Sequence, residues 1–368
     1  MRFMFIGAHY GALRRELRKM GHDCLDVDHW DLFERQGKSR EEVVEYIRQK
    51  AIDYRPHVYI QWKGWLNRDK MVPPSLAREI RDRVGCVTGY WSVDDPDFLG
   101  EWKHCLAEFG AWDFALTCCK ASVDEYRRFG VRDPHYFLPG FDTEWPIQDR
   151  DAWSSGPLTV EREAADLVII GHPYWHTAGA DLGRAQLAVA AQDAGYSVEI
   201  YGPQGDTWIT DTRPHFARRG IDTPFLCGDE RLEGAYRGWL EHDDVWRALL
   251  RGKVVLNNHL RKGGGYNHRY FGYCNDKIFQ MIGVGTVMLM DHQPGLEDVI
   301  APDEHYLEYR PSLDWHVCLE SAMEQLHRAV GDPELRQSIG LRARAHCLEH
   351  HTWGHRARQL VKIVNGHR

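Results

Sequence analysis

Val87–Phe98 reads VTGYWSVDDPDF. Its first five residues, Val87–Trp91, have the apolar, β-branched and aromatic make-up of a buried strand. The chain then runs straight into two adjacent carboxylates and a proline. Pro96 lacks a backbone donor and biases Asp95 toward an extended conformation, so the next helix, expected around Phe98–Phe109, has to start later. In an open α/β sheet, ligands bind just beyond the carboxyl ends of the strands. Asp94 and Asp95 occupy such a position. An acid pair there can take a proton from a hydroxyl, bind a metal or hold a sugar. It can equally cap the following helix.

Upstream of this stretch, strands alternate with helices. Arg2–Gly7, Cys24–Val27 and Val58–Trp62 read as strands. Between them lie a helical pattern over Gly11–Met20 and a helix announced by the Ser39/Glu42 capping signature and running to about Asp53. Pro73 and Pro74 open a helix to about Arg83. Downstream, Asp113–Thr117 is a strand, Ser122–Phe129 a helix and His135–Leu138 a sixth strand. This spacing predicts a parallel, doubly wound sheet. The turn Gly7–Gly11, GAHYG, lacks the GxGxxG dinucleotide fingerprint. His9 in it is either a proton-exchanging group or an ordinary loop residue. Gln61–Trp65, QWKGW, ends the third strand at the same side, so Trp62, Lys63 and Trp65 are candidates for ligand contacts, with core packing the alternative for the two rings.

The pattern fades in a linker rich in Pro, Ser and Gly and restarts at Asp166–Gly171, DLVIIG. A helix from about Ala180 to Ala194, a strand over Ser197–Gly202, a helix over His242–Arg251 and a strand over Val254–Asn257 follow. Residues 203–235 carry no recognisable element. The basic loop His259–Arg269 precedes NDKIFQMIGVGTVMLMD, Asn275–Asp291, read as helix, turn, strand and acid. A strand near His305–Tyr309 and three amphipathic helices complete the chain. His346, His350 and His351 have a spacing that resembles a metal pair, against which a solvated helix face is expected. The expected organisation is an N-terminal domain over 1–145, a linker over 146–165, a second domain over 166–352 and a terminal helix over 353–368 that returns to the first domain.

The 368 residues suit two cores. A hydrophobic content of 43% and a charged content of 27% are those of a soluble globular protein. The longest apolar runs are too short to span a bilayer, and the N-terminus has no signal-peptide pattern, so membrane insertion is not expected. Nine cysteines without a CxxC pair suit neither a disulfide framework nor a zinc ribbon and point to a reducing cytoplasm. A net charge of −8 argues against nucleic-acid binding through bulk charge, though not against a local basic cleft.

Several blocks occur in an ordered series: YWSVDDP, then YFLPGFD, VIIG, a strand ending in Asn before NDKIFQMIGVGTVML, EDVI, HYLEY and finally HHTWGHRARQL. In this order the chain resembles the CgeB-like (spore maturation) glycosyltransferases of the GT-B superfamily and, more distantly, the phage DNA β-glucosyltransferase. The resemblance implies two Rossmann-like domains facing a central cleft, with the acceptor on the N-terminal domain and a nucleotide-diphosphate sugar, expected to be UDP-linked, on the C-terminal one. It implies Gly171 and His172 as the turn against the diphosphate, Lys277 and Arg184 as its cations and Asn275 as the cap of the donor helix. Glu297 is expected near the donor sugar, with a helix-start acid as the alternative. Gln280 stands where the family usually has a ribose-binding glutamate, and Lys277 where it usually has arginine; both are departures.

Glycosyl transfer needs stabilisation of a departing diphosphate and, in an inverting reaction, a base for the acceptor hydroxyl. Lys277 and Arg184 answer the first need. Asp94 or Asp95 answers the second, with Asp94 favoured because it follows the strand directly. No cofactor and no bound metal is then required. The acceptor is left open among a glycan, a protein, a small molecule and hydroxymethylated phage DNA. A nucleotide-sugar epimerase and a degenerate nucleotide- or glycan-binding GT-B module are the other readings.

Overall fold

In the computed structural model, which describes residues 1–7, 11–62, 72–93, 95, 106–145, 162–171, 182–202, 230–240, 244–259, 268–312 and 314–368, the alternating pattern resolves into two six-stranded sheets. The first holds β1 (Arg2–Ile6), β2 (Asp23–Val27), β3 (Val58–Trp62), β4 (Val87–Ser92), β5 (Phe114–Thr117) and β6 (Asp133–Tyr136) in the order β2-β1-β3-β4-β5-β6. The second holds β7 (Ala165–Ile170), β8 (Val198–Tyr201), β9 (Tyr236–Gly238), β10 (Gly252–Asn257), β11 (Val287–Asp291) and β12 (Leu307–Tyr309) in the order β12-β11-β10-β7-β8-β9. All the pairings are parallel. Each sheet therefore reverses its strand order once, between β1 and β3 and between β7 and β10. Those reversals are where doubly wound sheets bind ligands.

β4 shows why VTGYWS becomes a central strand. All six residues are buried. Tyr90 enters the core cluster on one face with Tyr59, Phe109 and Trp112, while Val87 and Trp91 enter the other with Phe3 and Leu13. Gly89 lies under the Phe114 ring, and a Cβ there would stand 2.1 Å from Phe114 Cζ. Only hydrogen fits.

The chain divides into two compact units. Met1–Gly140, Arg269–Asp276 and His351–Arg368 make one, and Phe141–His268 with Lys277–His350 the other. Within the first unit the terminal helix Trp353–Asn365 buries Trp353, Ala357, Leu360 and Val364 in the cluster that holds Phe3, Leu17 and Trp91. The segment Arg269–Asp276 is pinned beside the end of β5, where Cys274 N donates to Cys118 O at 2.9 Å and Ala121 N to Phe271 O at 3.1 Å.

Several elements depart from expectation for local reasons. The sixth strand is Asp133–Tyr136, two residues earlier than expected. It includes Pro134, whose missing backbone donor is tolerated because β6 is an edge strand paired only with β5. The helix His29–Glu34, with Asp28 accepting from Asp31 N, is too short for its periodicity to register. The helix expected from about Ala180 begins at Arg184, after Gly183 at its N-cap. The helix Glu230–Glu233 and β9 fall where no element was expected. Most of the expected Phe98–Phe109 helix and of the linker lies outside the described residues, and Leu106–Ala111 is a 3-10 turn. The capping signature at Ser39 is realised in full, with Glu42 N donating to Ser39 Oγ at 3.2 Å and Ser39 N to Glu42 Oε2 at 2.7 Å.

Candidate functional site

β7 ends at Ile170, and Gly171 turns the chain with φ +114°. A Cβ at Gly171 would stand 2.7 Å from Arg184 Nη1 and 2.9 Å from Lys277 Nζ. The backbone angle favours glycine there, and without a side chain the two cations can close over the turn. At the end of β8, a Cβ on Gly202 would stand 2.6 Å from Gly171 O, so the neighbouring strand presses equally close. Lys277 Nζ donates to Ile170 O at 3.0 Å. Arg184 Nε donates to Asn258 Oδ1 at 2.7 Å, and Asn258 Nδ2 donates to Leu182 O at 2.8 Å. Asn258, 2% exposed, thus fixes the guanidinium from the end of β10. The next residue is locked as well: His259 N and Nδ1 both lie 3.0 Å from Asp291 Oδ1 at the end of β11.

Arg184 and Lys277 are the first residues of the helices Arg184–Asp193 and Lys277–Val284. A cation at the first helical position opposes the positive end of the helix dipole. Here two such cations also crowd one glycine. The arrangement is costly by itself and becomes favourable when an anion sits between the helix ends. It lies at the ends of β7 and β10, where the strand order of the second sheet reverses.

In the first unit, Asp95 is 1% exposed. Ser92 Oγ donates to its Oδ1 at 3.0 Å and Tyr126 Oη to its Oδ2 at 2.9 Å. Burial and the adjacent Asp95 push the Tyr126 phenol well up, so it stays a donor. Both carboxylate oxygens are committed inside the protein, which is the position of an anchor for the strand end rather than of a group open to a hydroxyl acceptor. Asp94 lies outside the described residues, as do His9, Lys63, Trp65 and His172. Glu125, next to Tyr126 in sequence, has its carboxyl raised by burial, opposed by Arg269.

The other expected site residues divide. Gln280 is half-buried one helical turn beyond Lys277, on the same helix face. Asn275 is half-buried and belongs to the segment grouped with the first unit. Glu297 is exposed, and its Oε2 accepts from Gly295 N at 2.7 Å, closing a local turn. Trp62 is half-buried against the Gly7 turn, its Cβ 3.1 Å from where a Gly7 Cβ would lie. Its ring joins the core cluster beneath the helix Gly11–Lys19. The basic loop is outside the described residues over 260–267. Of the three histidines, His350 is exposed as expected of a solvated face, whereas His346 Nε2 donates to Val299 O at 2.7 Å and buried His351, just past the helix, accepts from Arg356 Nη2 at 2.8 Å. Asn258 and Asp291 escaped the sequence reading as site residues, because an Asn and an Asp at strand ends are common turn residues. Their only signal is position: Asp291 ends a strand of the second sheet and Asn258 directly follows one.

Residues 184–362 match the family model described as glycosyl transferase-like. That span begins at Arg184 and contains Asn258, Lys277 and Asp291. None of the curated proteins matches the sequence. Among solved structures, the chain is similar to sucrose-phosphate synthase from Thermosynechococcus elongatus, with 12% identity, a TM-score of 0.63 and coverage of 100% of this chain and 98% of that one. It is similar to HepE of Anabaena in complex with UDP, with 12% identity, a TM-score of 0.57 and 100% of both chains covered. The complex of HepE with UDP-glucose gives 11% identity and a TM-score of 0.58, again over 100% of both chains. The fold is GT-B, built from two Rossmann-like domains, and residues 184–362 carry the likeness to the glycosyl transferase-like family. Among the described residues, no helix is long and apolar enough to cross a membrane.

Proposed function

We propose that the protein transfers a sugar from a nucleoside-diphosphate sugar, UDP-linked as in the HepE complexes, to a hydroxyl acceptor. The observation that carries this reading is the convergence of Arg184 Nη1 and Lys277 Nζ on Gly171 at the end of β7. As the acceptor oxygen attacks the anomeric carbon, the bond from that carbon to the diphosphate oxygen breaks and negative charge grows on the leaving group. Two preorganised cations and two helix N-termini meet that charge without solvent reorganisation. Gln280, on the Lys277 face, is the residue we assign to the ribose hydroxyls, as a neutral partner. Asn275, His172 and Glu297 remain donor-side assignments, and His9, Trp62, Lys63 and Trp65 acceptor-side assignments, resting on the sequence.

Within this reading the reaction inverts at the anomeric carbon, and the acceptor proton goes to Asp94. Asp95, held by Ser92 and Tyr126, positions the turn that presents it. The finer family assignment is CgeB-like, carried by YWSVDDP and Lys277–Gly283. Acceptor identity is the open variable: a glycan, a protein, a small molecule or modified DNA.

The test is transfer from UDP-sugars to an array of hydroxyl acceptors, with Asp94→Asn and Asp95→Asn beside wild type. Loss of a general base lowers the rate by about 10²–10⁴-fold. Asp94→Asn is expected to show that loss with an unchanged melting temperature. Asp95→Asn leaves an amide NH2 facing a hydroxyl donor and is expected to destabilise the fold by about 1–3 kcal/mol. Full turnover by Asp94→Asn removes the base assignment.

A further inference from the structure

The edge strand β6 begins Asp133-Pro134-His135, and Asp133 and His135, two apart on a strand, project from one face. His135 Nε2 lies 2.7 Å from Asp133 Oδ2. His367 comes from the other end of the chain, beyond the terminal helix, and its Nε2 lies 3.0 Å from the same oxygen. The ligand atoms of all three side chains fall within 4.8 Å of one another. We propose that Asp133, His135 and His367 form a site for one divalent transition-metal ion of the zinc type.

The chemistry of the donor set fits. Two imidazole nitrogens and one carboxylate oxygen are ligands for a borderline-soft cation, and three protein ligands leave a fourth position for water. So does the geometry. Bonds of about 2.0–2.2 Å in a tetrahedron place neighbouring ligand atoms about 3.3–3.6 Å apart. The observed separations of 2.7 and 3.0 Å lie below that range by less than about 1 Å, within reach of side-chain rotation. An ordinary ion pair needs one imidazole, whereas here two converge on a single carboxylate oxygen. With the imidazole protons on Nδ1, both Nε2 lone pairs are available to the ion. The three side chains are part-exposed, at 29% for His135, 46% for Asp133 and 19% for His367, so an ion can enter from solvent.

The surroundings define what the ion does. Asp133 starts β6, so the cluster sits at the opposite end of the parallel sheet from Ser92 and Asp95. A role in transfer chemistry is not implied. The His367 ring packs 5.8 Å from that of Phe114, and Gln359 Nε2 donates to Tyr136 O at 3.3 Å, so the C-terminal segment already lies against β6. A bound ion clips that segment to the edge strand and stabilises the folded first unit by linkage.

The experiment titrates the metal-stripped full chain with Co2+, following its visible ligand-field bands, and repeats the melting curve with Zn2+. One Co2+ per chain with tetrahedral-type bands is expected, together with a Zn2+-dependent rise in melting temperature. Both are expected to vanish in His135→Asn and in His367→Asn, each affinity falling at least ~tenfold, and to persist in the control His350→Asn. His367 lies beyond the last helix, so matching metal-free melting curves show that the variant is folded. Absence of the bands in the wild-type chain, or their survival in both ligand variants, overturns the proposal.

Discussion

Asn258 sets where Arg184 points. Its Oδ1 accepts from the guanidinium Nε at 2.7 Å, and its own amide is held by Leu182 O at 2.8 Å, so the pair is fixed from both sides. On the proposed donor role of Arg184, this ordering is where a preorganised cation gains over a mobile one. Asn258→Ala is expected to keep the fold and to weaken nucleoside-diphosphate binding by ~10-fold or more, the order seen when a supporting shell is removed; calorimetric titration with UDP measures it. Asn258→Asp, which loses the donor to Leu182 O and places a negative charge beside Arg184, is expected to weaken binding at least as much. At this scale the sequence was partly legible. Gly171, Arg184 and Lys277 were implied by the resemblance to the CgeB-like glycosyltransferases, and in the structure the three lie together. Asp95 was read as one of a pair of candidate bases, yet its side chain is buried against Ser92 and Tyr126. Nothing in the local string DDP says that the Asp95 carboxylate turns inward, because the clamp comes from Tyr126, 31 positions away.

Among the elements, β8 shows how charge is accommodated in a sheet. Glu199, 5% exposed on that strand, accepts from Arg251, Arg237 and Tyr201. Its hydrogen bonds to Arg251 hold the carboxyl down to about 2 against burial. The folded value is below the unfolded one, so the stabilisation is present above about pH 4.5 and is lost as pH falls toward 2. The size of the shift corresponds to about 3 kcal/mol at neutral pH. Glu199→Gln is expected to lower stability at pH 7 by roughly that order and to flatten the acid limb between about pH 4.5 and 2 in urea titrations. Elements with strong periodicity or explicit punctuation were readable: β4, the Ser39-capped helix and the helix that opens at Pro74. Those that escaped are short or set by neighbours. β9 has three residues and exists through its pairing with β8, and β6 tolerates Pro134 only because it is an edge.

At the scale of the whole molecule, the chain builds two parallel sheets whose order reverses once each, and it finishes the first unit with its last helix. Trp353 is the main anchor of that helix, 6% exposed and edge-on to Trp91 at 6.2 Å. Trp353→Ala is expected to cost about 3–5 kcal/mol, a loss of the size found for buried aromatic truncations, read as an earlier urea midpoint with an unchanged slope. The sheets were legible from strand–helix alternation, whereas their strand order came from the coordinates. The second sheet's reversal at β7 and β10 then carries the functional account, because it is there that Gly171, Arg184, Asn258 and Lys277 meet. The most direct measurement is the melting temperature of wild type, Arg184→Ala and Lys277→Ala across UDP and other nucleoside diphosphates. A ligand at ~100 times its dissociation constant adds ~2.7 kcal/mol to the native state. A clear upward shift with UDP in the wild type, absent from both variants, is the predicted result. No shift with any nucleoside diphosphate, or an undiminished shift in both variants, contradicts the account.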